Sequence, residues 1–264
     1  MGLAEMVGTD LGSRTVAYEE RDAILYALAV GAAHDDLPLV FERDLRVLPT
    51  FALPLGLWVA DAAGAAGAFT PERSLHGSQT LQVHAPLPRR GSVEVRGRIA
   101  AAWDKGRAAI LDVVAESEYF SATYSIFLPG QGGWGGDPGP RSAGAEVEGP
   151  ERTAEVATDP GQATLYRLTG DRHLIHIDPE AAKAAGFPGP ILHGLATLGV
   201  AARKVAALVG AQPWELTTLS ARFSGPVTPG DRLALTTRGD AARCTFAAAV
   251  GGTAVLSAGE AAFG

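Results

Sequence analysis

Two ionisable side chains lie five residues apart in the second half of the sequence, Asp171 and His176. A carboxylate beside an imidazole can take up and return a proton near neutral pH, because histidine titrates there and aspartate can hold the ring in one orientation. A spacing of five does not share a helix face well, so convergence requires a loop or a bent strand after Gly170. A structural interpretation stays open, in which Asp171 caps a helical turn and His176 is a hydrogen-bonded core residue.

A second candidate element is the pair His193 and Gly194, which opens a long apolar segment with helical character. A helix start exposes unpaired N–H groups and the positive end of the dipole, and glycine lets a ligand approach the backbone. A carbonyl oxygen that acquires negative charge would be stabilised there. The alternative is that Gly194 only permits close packing against a sheet.

A metal site is an alternative use of the same segment, because His173, His176 and Asp178 could supply nitrogen and oxygen ligands. Their pattern, H-x-x-H-x-D, has no fixed metal meaning, and the sequence contains no HExxH motif. We therefore predict acid–base chemistry with no metal and no cofactor.

Nucleophilic catalysis and phosphate binding have weaker support. Ser220 and Ser224 lack the nucleophile-elbow context, and Cys244, the single cysteine, has no adjacent base. The glycines at 132–136 lack the following Lys-Ser/Thr of a phosphate loop. One cysteine also excludes an internal disulfide framework.

Composition bounds the class of protein. The 264 residues are 47% hydrophobic and 19% charged, as in globular proteins, and the net charge is −7 without a basic cluster. This balance argues against a nucleic-acid partner. No segment has the length and apolarity of a membrane span, and the N-terminus lacks signal-peptide character. We expect a soluble cytoplasmic protein without a membrane partner.

The elements repeat along the chain. Each half places a helix and a second, apolar helix before strand-like segments with alternating apolar residues. Short breaks between these segments favour antiparallel pairing. The sequence thus predicts an α+β fold of two antiparallel sheets, each wrapped around one apolar helix.

The halves are separated by a stretch rich in glycine and proline. Residues 130–146 hold seven glycines and two prolines in 17 positions. We predict a non-catalytic domain over residues 1–130, a linker over 131–150 and a catalytic domain over 151–264, because the first half has only apolar or small residues at the position of Asp171.

Taken together, the second-half segment YRLTGDRHLIHIDPEAAKAAGFPGPILHGL resembles the signature of the MaoC-like, (R)-specific enoyl-CoA hydratases, the hydratase 2 family. Further segments along the whole chain, such as YEERDAILYALAVGA, LHGSQTLQVHAPLP and ARFSGPVTPGD, are similar to parts of two-domain members. The resemblance implies a double hot-dog fold with one active site. It also implies a hydro-lyase that adds water to trans-2-enoyl-CoA to give (R)-3-hydroxyacyl-CoA, or the reverse.

By position, the resemblance implies that Asp171 and His176 activate water and that the Gly194 N–H forms the oxyanion hole. His193 and His173 are expected to position water or substrate. The partner is an acyl-CoA thioester, fatty or steroid-like, and a homodimer is left open.

The sequence departs from the family where the signature has Asn-Pro-Leu between Asp and His, because this chain has His173, Leu174 and Ile175. A histidine there could hydrogen-bond the water, alter substrate choice or abolish hydration. Two alternatives follow: a dehydratase for carrier-bound or polycyclic acyl thioesters, and a non-catalytic acyl-thioester-binding subunit.

Overall fold

The computed structural model describes residues 2–140 and 147–264. These ranges contain seven α-helices, of which the last is the longest. The helices are α1 (Glu20–Ala29), α2 (Leu37–Val40), α3 (Ala52–Gly56), α4 (Trp58–Ala65), α5 (Gln162–Tyr166), α6 (Pro179–Ala184) and α7 (Gly194–Val209). None of these helices is long and apolar enough to cross a membrane.

Ten strands form one antiparallel sheet in the described part of the chain. They are β1 (Asp10–Tyr18), β2 (Leu75–Val83), β3 (Gly91–Asp104), β4 (Ala108–Glu116), β5 (Phe120–Pro129), β6 (Glu151–Ala157), β7 (Leu216–Phe223), β8 (Arg232–Gly239), β9 (Cys244–Val250) and β10 (Thr253–Phe263). Their order is β1-β3-β4-β5-β2-β7-β10-β9-β8-β6, so five strands of the first half precede five of the second. The α+β class is confirmed.

The two predicted sheets are joined edge to edge into this single sheet. The junction is the antiparallel pair β2 and β7, which runs from Ser78 opposite Arg222 to Gln82 opposite Thr218. Alternation in a sequence indicates which face of a strand is buried, but not which strand pairs with its edge. The sequence therefore predicted the strands at this junction without their pairing.

Strands β1 and β6 were not predicted, and both lie at the outer edges of the sheet. No residue of β6 is fully buried, and only Tyr18 is buried in β1. Edge strands that carry charged residues on exposed faces show little hydrophobic pattern, so the sequence signal is weak in both segments.

Helix α7 is the central helix of the second half, and ten of its 16 residues are buried. It also packs closely against α1 of the first half. A Cβ atom at Gly199 would lie 2.6 Å from the Val30 side chain and 3.0 Å from the Tyr26 hydroxyl. Glycine at this position therefore allows the two helices to approach each other.

The corresponding apolar segment of the first half was predicted as one helix from Phe51 to Ala60, with an interruption at Pro54. In the structure it is divided into α3 and α4 at Leu57. Proline has no N–H for the helical ladder, and the Leu57 N–H closes a turn on the Pro54 carbonyl at 3.4 Å. The first half thus has a broken central helix.

The predicted linker contains no helix or strand over residues 131–140 and 147–150, and residues 141–146 lie outside the described ranges. Its glycine-rich start is tied to the Asp104 carboxylate, which accepts four backbone N–H groups at 2.8–3.3 Å. The donors are Gly106, Gly133, Gly135 and Gly136. These bonds, the Gly133 one foremost, hold the pKa of Asp104 below its usual value. An internal carboxylate thus occupies the N–H groups that a phosphate would need. The domain boundaries at 130 and 150 stay predictions.

Candidate active site

Asp171 is placed by a glycine turn after α5. A 3-10 turn, Arg167–Thr169, follows α5, and Gly170 then adopts φ +136°, a conformation that L side chains rarely reach. This turn brings Asp171 to the wall of a cavity. The Oδ1 atom of Asp171 accepts the His173 N–H at 3.2 Å, which fixes the start of the following loop.

His176 is a buried imidazole with one nitrogen engaged. Its Nδ1 atom lies 2.8 Å from the Ile191 carbonyl oxygen. A carbonyl can only accept, so Nδ1 carries the hydrogen and Nε2 is left with a free lone pair. Burial lowers the pKa of His176, although the nearby Asp171 charge opposes this effect. The ring is therefore neutral at pH 7 and can act as a base.

His193 contacts both His176 and the backbone of Asp171. It is fully buried, and its ring stacks on that of His176 with 3.7 Å between centroids. Its Nε2 atom donates to the Asp171 backbone carbonyl at 3.1 Å. Burial first, and then the neighbouring His176, lower the pKa of His193 to about 3, so this ring is also neutral.

The side chains of Asp171, His176 and His193 form the cluster of potential metal ligands in the described residues, with ligand atoms within 4.8 Å of one another. The two imidazoles are nearly parallel, with 27° between their planes. Nitrogen lone pairs lie in the ring plane, so stacked rings direct them side by side rather than toward one point. In each ring, one nitrogen is also hydrogen-bonded to a backbone carbonyl. The arrangement suits proton transfer better than metal binding.

The three residues considered as metal ligands from the sequence, His173, His176 and Asp178, do not form one site. Asp178 caps α6, where its Oδ1 atom accepts the Glu180 N–H at 2.8 Å. His173 is exposed, its ring centroid lies 6.1 Å from that of His176, and its Nδ1 atom accepts the Ile175 N–H at 3.3 Å. His173 and Asp178 thus serve local turns.

Gly194 begins α7 and lines the same cavity as Asp171 and His176. No acceptor for this N–H is found within residues 2–140 and 147–264. A Cβ atom at Gly194 would lie 3.1 Å from two carbons of the Phe223 ring, closer than an ordinary contact. Glycine therefore allows the aromatic ring to lie against the helix start, where the dipole favours negative charge.

A cavity of about 370 Å³ connects these groups. Asp171, His176 and the Gly194 backbone lie on its wall, and most other lining side chains are apolar, among them Leu195 and Phe223. Such a cavity with a few convergent polar groups is the usual form of a small-molecule site.

The predicted site residues therefore do not all lie on the cavity wall. Asp171, His176 and Gly194 line the cavity, His193 lies behind His176, and His173 is not part of the cavity wall.

One lining residue was missed by sequence reasoning. His76, interpreted from the sequence as structural or exposed, lines the cavity from the first half of the chain. A signal was present, because the tripeptide Leu-His-Gly occurs twice, at 75–77 and 192–194. Both copies contribute residues to the cavity wall.

Each half of the chain matches a known family model. Residues 16–128 match the model of the MFE-2 hydratase 2 N-terminal domain, and residues 142–256 match the MaoC like domain. The chain is 39% identical over 254 residues to 3-hydroxyacyl-thioester dehydratase Y of Mycobacterium tuberculosis, with 89% of this chain and 87% of the relative covered. It is 38% identical over 247 residues to the peroxisomal enoyl-CoA hydratase 2 of Arabidopsis thaliana, with 82% and 80% covered.

Solved structures agree with the fold. The MaoC-like dehydratase from Phytophthora capsici is 26% identical and superposes with a TM-score of 0.87 over 100% of this chain and 98% of that one. A Mycobacterium tuberculosis protein described as having a double hotdog fold is 16% identical, with a TM-score of 0.64 over 99% and 97% of the two chains. The predicted double hot-dog architecture is confirmed, and the chain belongs to the MaoC-like enoyl-CoA hydratase 2 family of hydro-lyases.

Proposed function

We propose that this chain catalyses the reversible addition of water to trans-2-enoyl-CoA, giving (R)-3-hydroxyacyl-CoA. Two relatives are named for the two directions, as a 3-hydroxyacyl-thioester dehydratase and as an enoyl-CoA hydratase 2. The observation that carries the proposal is the presence of Asp171, His176 and the Gly194 backbone on one largely apolar cavity. The (R) configuration is proposed from the family resemblance.

In the hydration direction, Asp171 and the free Nε2 of His176 hold one water molecule. The water oxygen bonds to the β carbon, and the electron pair of the C=C bond moves toward the thioester to give an enolate-like species. A proton of the same water then passes to the α carbon on the same face. In dehydration these bonds break in the opposite order, so atoms and charge balance in both directions.

The electrostatics of the site fit these roles. Because burial lowers the pKa of His176, the ring keeps the lone pair that a general base needs. The Gly194 N–H donates to the thioester oxygen as negative charge develops there. Removal of one such donor typically costs about 3 kcal/mol of transition-state stabilisation. The helix start therefore contributes to catalysis in addition to the acid–base pair.

His193 has a positioning role in this proposal. It stacks on the His176 ring and donates to the Asp171 backbone, and it does not line the cavity. One buried side chain thus fixes the relative position of both groups that hold water.

The alternative of changed chemistry on a carrier-bound or polycyclic substrate depended on His173. That residue is exposed and is not part of the cavity wall, so no observation favours this alternative over the ordinary reaction. A non-catalytic binder is opposed by the presence of both Asp171 and His176 on the cavity wall.

Loss of enoyl-thioester absorbance after addition of the protein tests the proposal, with crotonyl-CoA, trans-2-decenoyl-CoA and a steroid-like enoyl-CoA as substrates. Asp171→Asn and His176→Ala are each expected to lower kcat about 10²- to 10⁴-fold. The exposed residues Asp35 and His34 supply the matched controls Asp35→Asn and His34→Ala, which should keep wild-type rates.

Separation of the 3-hydroxyacyl product on a chiral column tests the (R) configuration. Wild-type inactivity with every acyl chain, or wild-type rates in both site variants, would contradict the proposed function.

A cytoplasmic location is proposed as well; because one relative is named peroxisomal, imaging of the tagged protein in its source cell is the test.

A further inference from the structure

His76 enters the active-site cavity from the half of the chain that lacks the Asp–His pair. It lies near the start of β2, next to Leu75, and these two are the first-half residues on the cavity wall in the described part of the chain. All other lining residues belong to the second half. The cavity therefore reaches across the junction between β2 and β7.

A β-bulge places His76 in this position. The register between β2 and β5 shifts between His76 and Ser78, so Gly77 is the extra residue. A Cβ atom at Gly77 would lie 3.3 Å from both the Ser125 carbonyl oxygen and the Phe127 Cβ, which is tight for any larger residue. Bulges often redirect a side chain beside an active site.

The His76 ring is one aromatic ring away from the proposed oxyanion hole. It packs edge-on against Phe223 with 4.7 Å between centroids. Phe223 in turn lies against the Gly194 backbone. Tyr124 also lies next to the imidazole, with 5.8 Å between centroids and 37° between the ring planes. This packing confines the ring to the cavity wall.

His76 has one ring nitrogen that the described residues do not pair with a hydrogen bond. Its Nε2 atom is buried and has no partner among the described residues. Burial lowers the pKa of His76 to about 4, although the Asp171 charge and hydrogen bonding to the Ser78 backbone and the Gln79 side chain act in the opposite direction. The ring is therefore neutral at pH 7 and offers one N–H donor and one lone pair.

We infer that His76 is a substrate-binding residue whose neutral imidazole hydrogen-bonds the reacting end of the acyl thioester in this cavity. The inference rests on the proposed function for the identity of the ligand. An unpaired buried polar group is unfavourable, and a bound thioester or its β-hydroxyl group supplies the missing partner. The half without the Asp–His pair would thus contribute a polar contact to the site.

Two substitutions separate hydrogen bonding from packing. His76→Phe keeps an aromatic ring against Phe223 and removes both nitrogens, whereas His76→Gln keeps a donor and an acceptor and removes the ring. For hydration of trans-2-decenoyl-CoA we expect kcat/KM to fall roughly tenfold in His76→Phe, as for a lost neutral hydrogen bond. It should fall less than threefold in His76→Gln. The exposed His34 supplies the controls His34→Phe and His34→Gln, which should match the wild type.

The opposite ranking, with His76→Phe active and His76→Gln impaired, would show a packing role and overturn the inference. A measurement on the unmodified protein covers the case in which the variants do not fold. The ¹⁵N resonances of the His76 imidazole should shift when octanoyl-CoA is added, while those of His34 should not. Unchanged His76 resonances at saturating octanoyl-CoA would also overturn the inference.

Failure of this inference can be distinguished from failure of the proposed function. If the wild type hydrates no enoyl-CoA but binds octanoyl-CoA, and His76→Phe weakens that binding while His76→Gln preserves it, the role of His76 holds and the reaction does not. If the wild type is active and His76→Phe matches it in both rate and binding, the reaction holds and the role of His76 does not.

Discussion

The two halves of this protein build their five strands in the same order but treat the central helix differently. In the second half α7 is continuous for 16 residues and begins with Gly194 beside the Asp171 loop. In the first half the corresponding segment breaks at Leu57, and the sequence has only apolar or small residues at the position that corresponds to Asp171. In the proposed site the sheet is therefore combined with a helix start and a polar loop that meet at one cavity.

The first half is nevertheless part of the site. It supplies His76 to the cavity wall, and α1 packs on α7 at Gly199. The first half thus contributes part of the wall of the cavity that the polar groups of the second half also line. The following predictions test how far this division between the halves extends.

The largest expected effect is a loss of stability at low pH that involves histidines of both halves. Burial lowers the pKa of His76 to about 4 and that of His193 to about 3, against 6.5 in an unfolded chain. Between these values the unfolded chain binds more protons, so the free energy of unfolding is highest above pH 6.5 and falls as the pH drops from 6.5 toward 4 for His76 and toward 3 for His193. For His76 alone the loss is roughly 3 kcal/mol.

Urea unfolding at pH 7.5, 5.5 and 4 measures this dependence. His76→Phe should flatten the curve, and the exposed control His34→Phe should not. If the free energy of unfolding depended on pH equally in His76→Phe and the wild type, protonation of His76 would not contribute to the loss of stability.

The next effect concerns the helix start that distinguishes the second half. In Gly194→Ala the new methyl group would lie 3.1 Å from the Phe223 ring and push the helix start away from the cavity. We expect kcat to fall about 100-fold, as for loss of one oxyanion-hole donor. Adding Phe223→Leu to this variant makes room for the methyl group and should restore part of the rate. No recovery in the double variant would argue that the steric explanation is wrong.

A smaller effect is expected from the residue that holds the acid–base pair in place. His193→Gln removes the stacking on His176 and loosens the bond to the Asp171 carbonyl. We expect kcat to fall roughly tenfold with little change in KM, because the substrate does not contact this ring. Steady-state kinetics with trans-2-decenoyl-CoA give both values. A change confined to KM would place His193 in contact with substrate instead.

The smallest effect tests a contact between the halves. Arg203 of α7 donates to Asp36 at 2.7 Å and to the Val30 carbonyl at 3.2 Å. Asp36 is 41% exposed, so solvent screens the pair. Asp36→Asn should lower the free energy of unfolding by about 1 kcal/mol, with unchanged kcat. Thermal melting and the hydration assay measure the two quantities. A fall in kcat would indicate that the contact between Arg203 and Asp36 also affects the active site.

Much of the second half could be predicted from local sequence. The apolar segment after His193 indicated a buried helix, and alternation indicated β7 to β10, because burial on one side imposes the period of each element. The spacing around Asp171 and His176, with Gly170 before them, indicated that the two groups could meet in a loop. Family resemblance added their roles, which stay proposals.

Other features could not be predicted, for identifiable reasons. The edge strands β1 and β6 bury too little surface to leave an alternating pattern. His173 and His193 were given the same positioning role, and nothing in their spacing distinguished an exposed turn residue from a fully buried one. The structure separates them, since only His193 contacts the backbone of Asp171.

The sequence by itself determined the inner strands, the long buried helix of the second half, the α+β class and the segment that carries the candidate acid–base pair, because these depend on periodicity and on neighbours within about 25 residues. Tertiary structure decided that β2 pairs with β7, that the His193 ring stacks on His176, and that His76, 95 positions before Asp171, shares its cavity. Edge pairing and packing bring together residues whose separation in sequence carries no local signal.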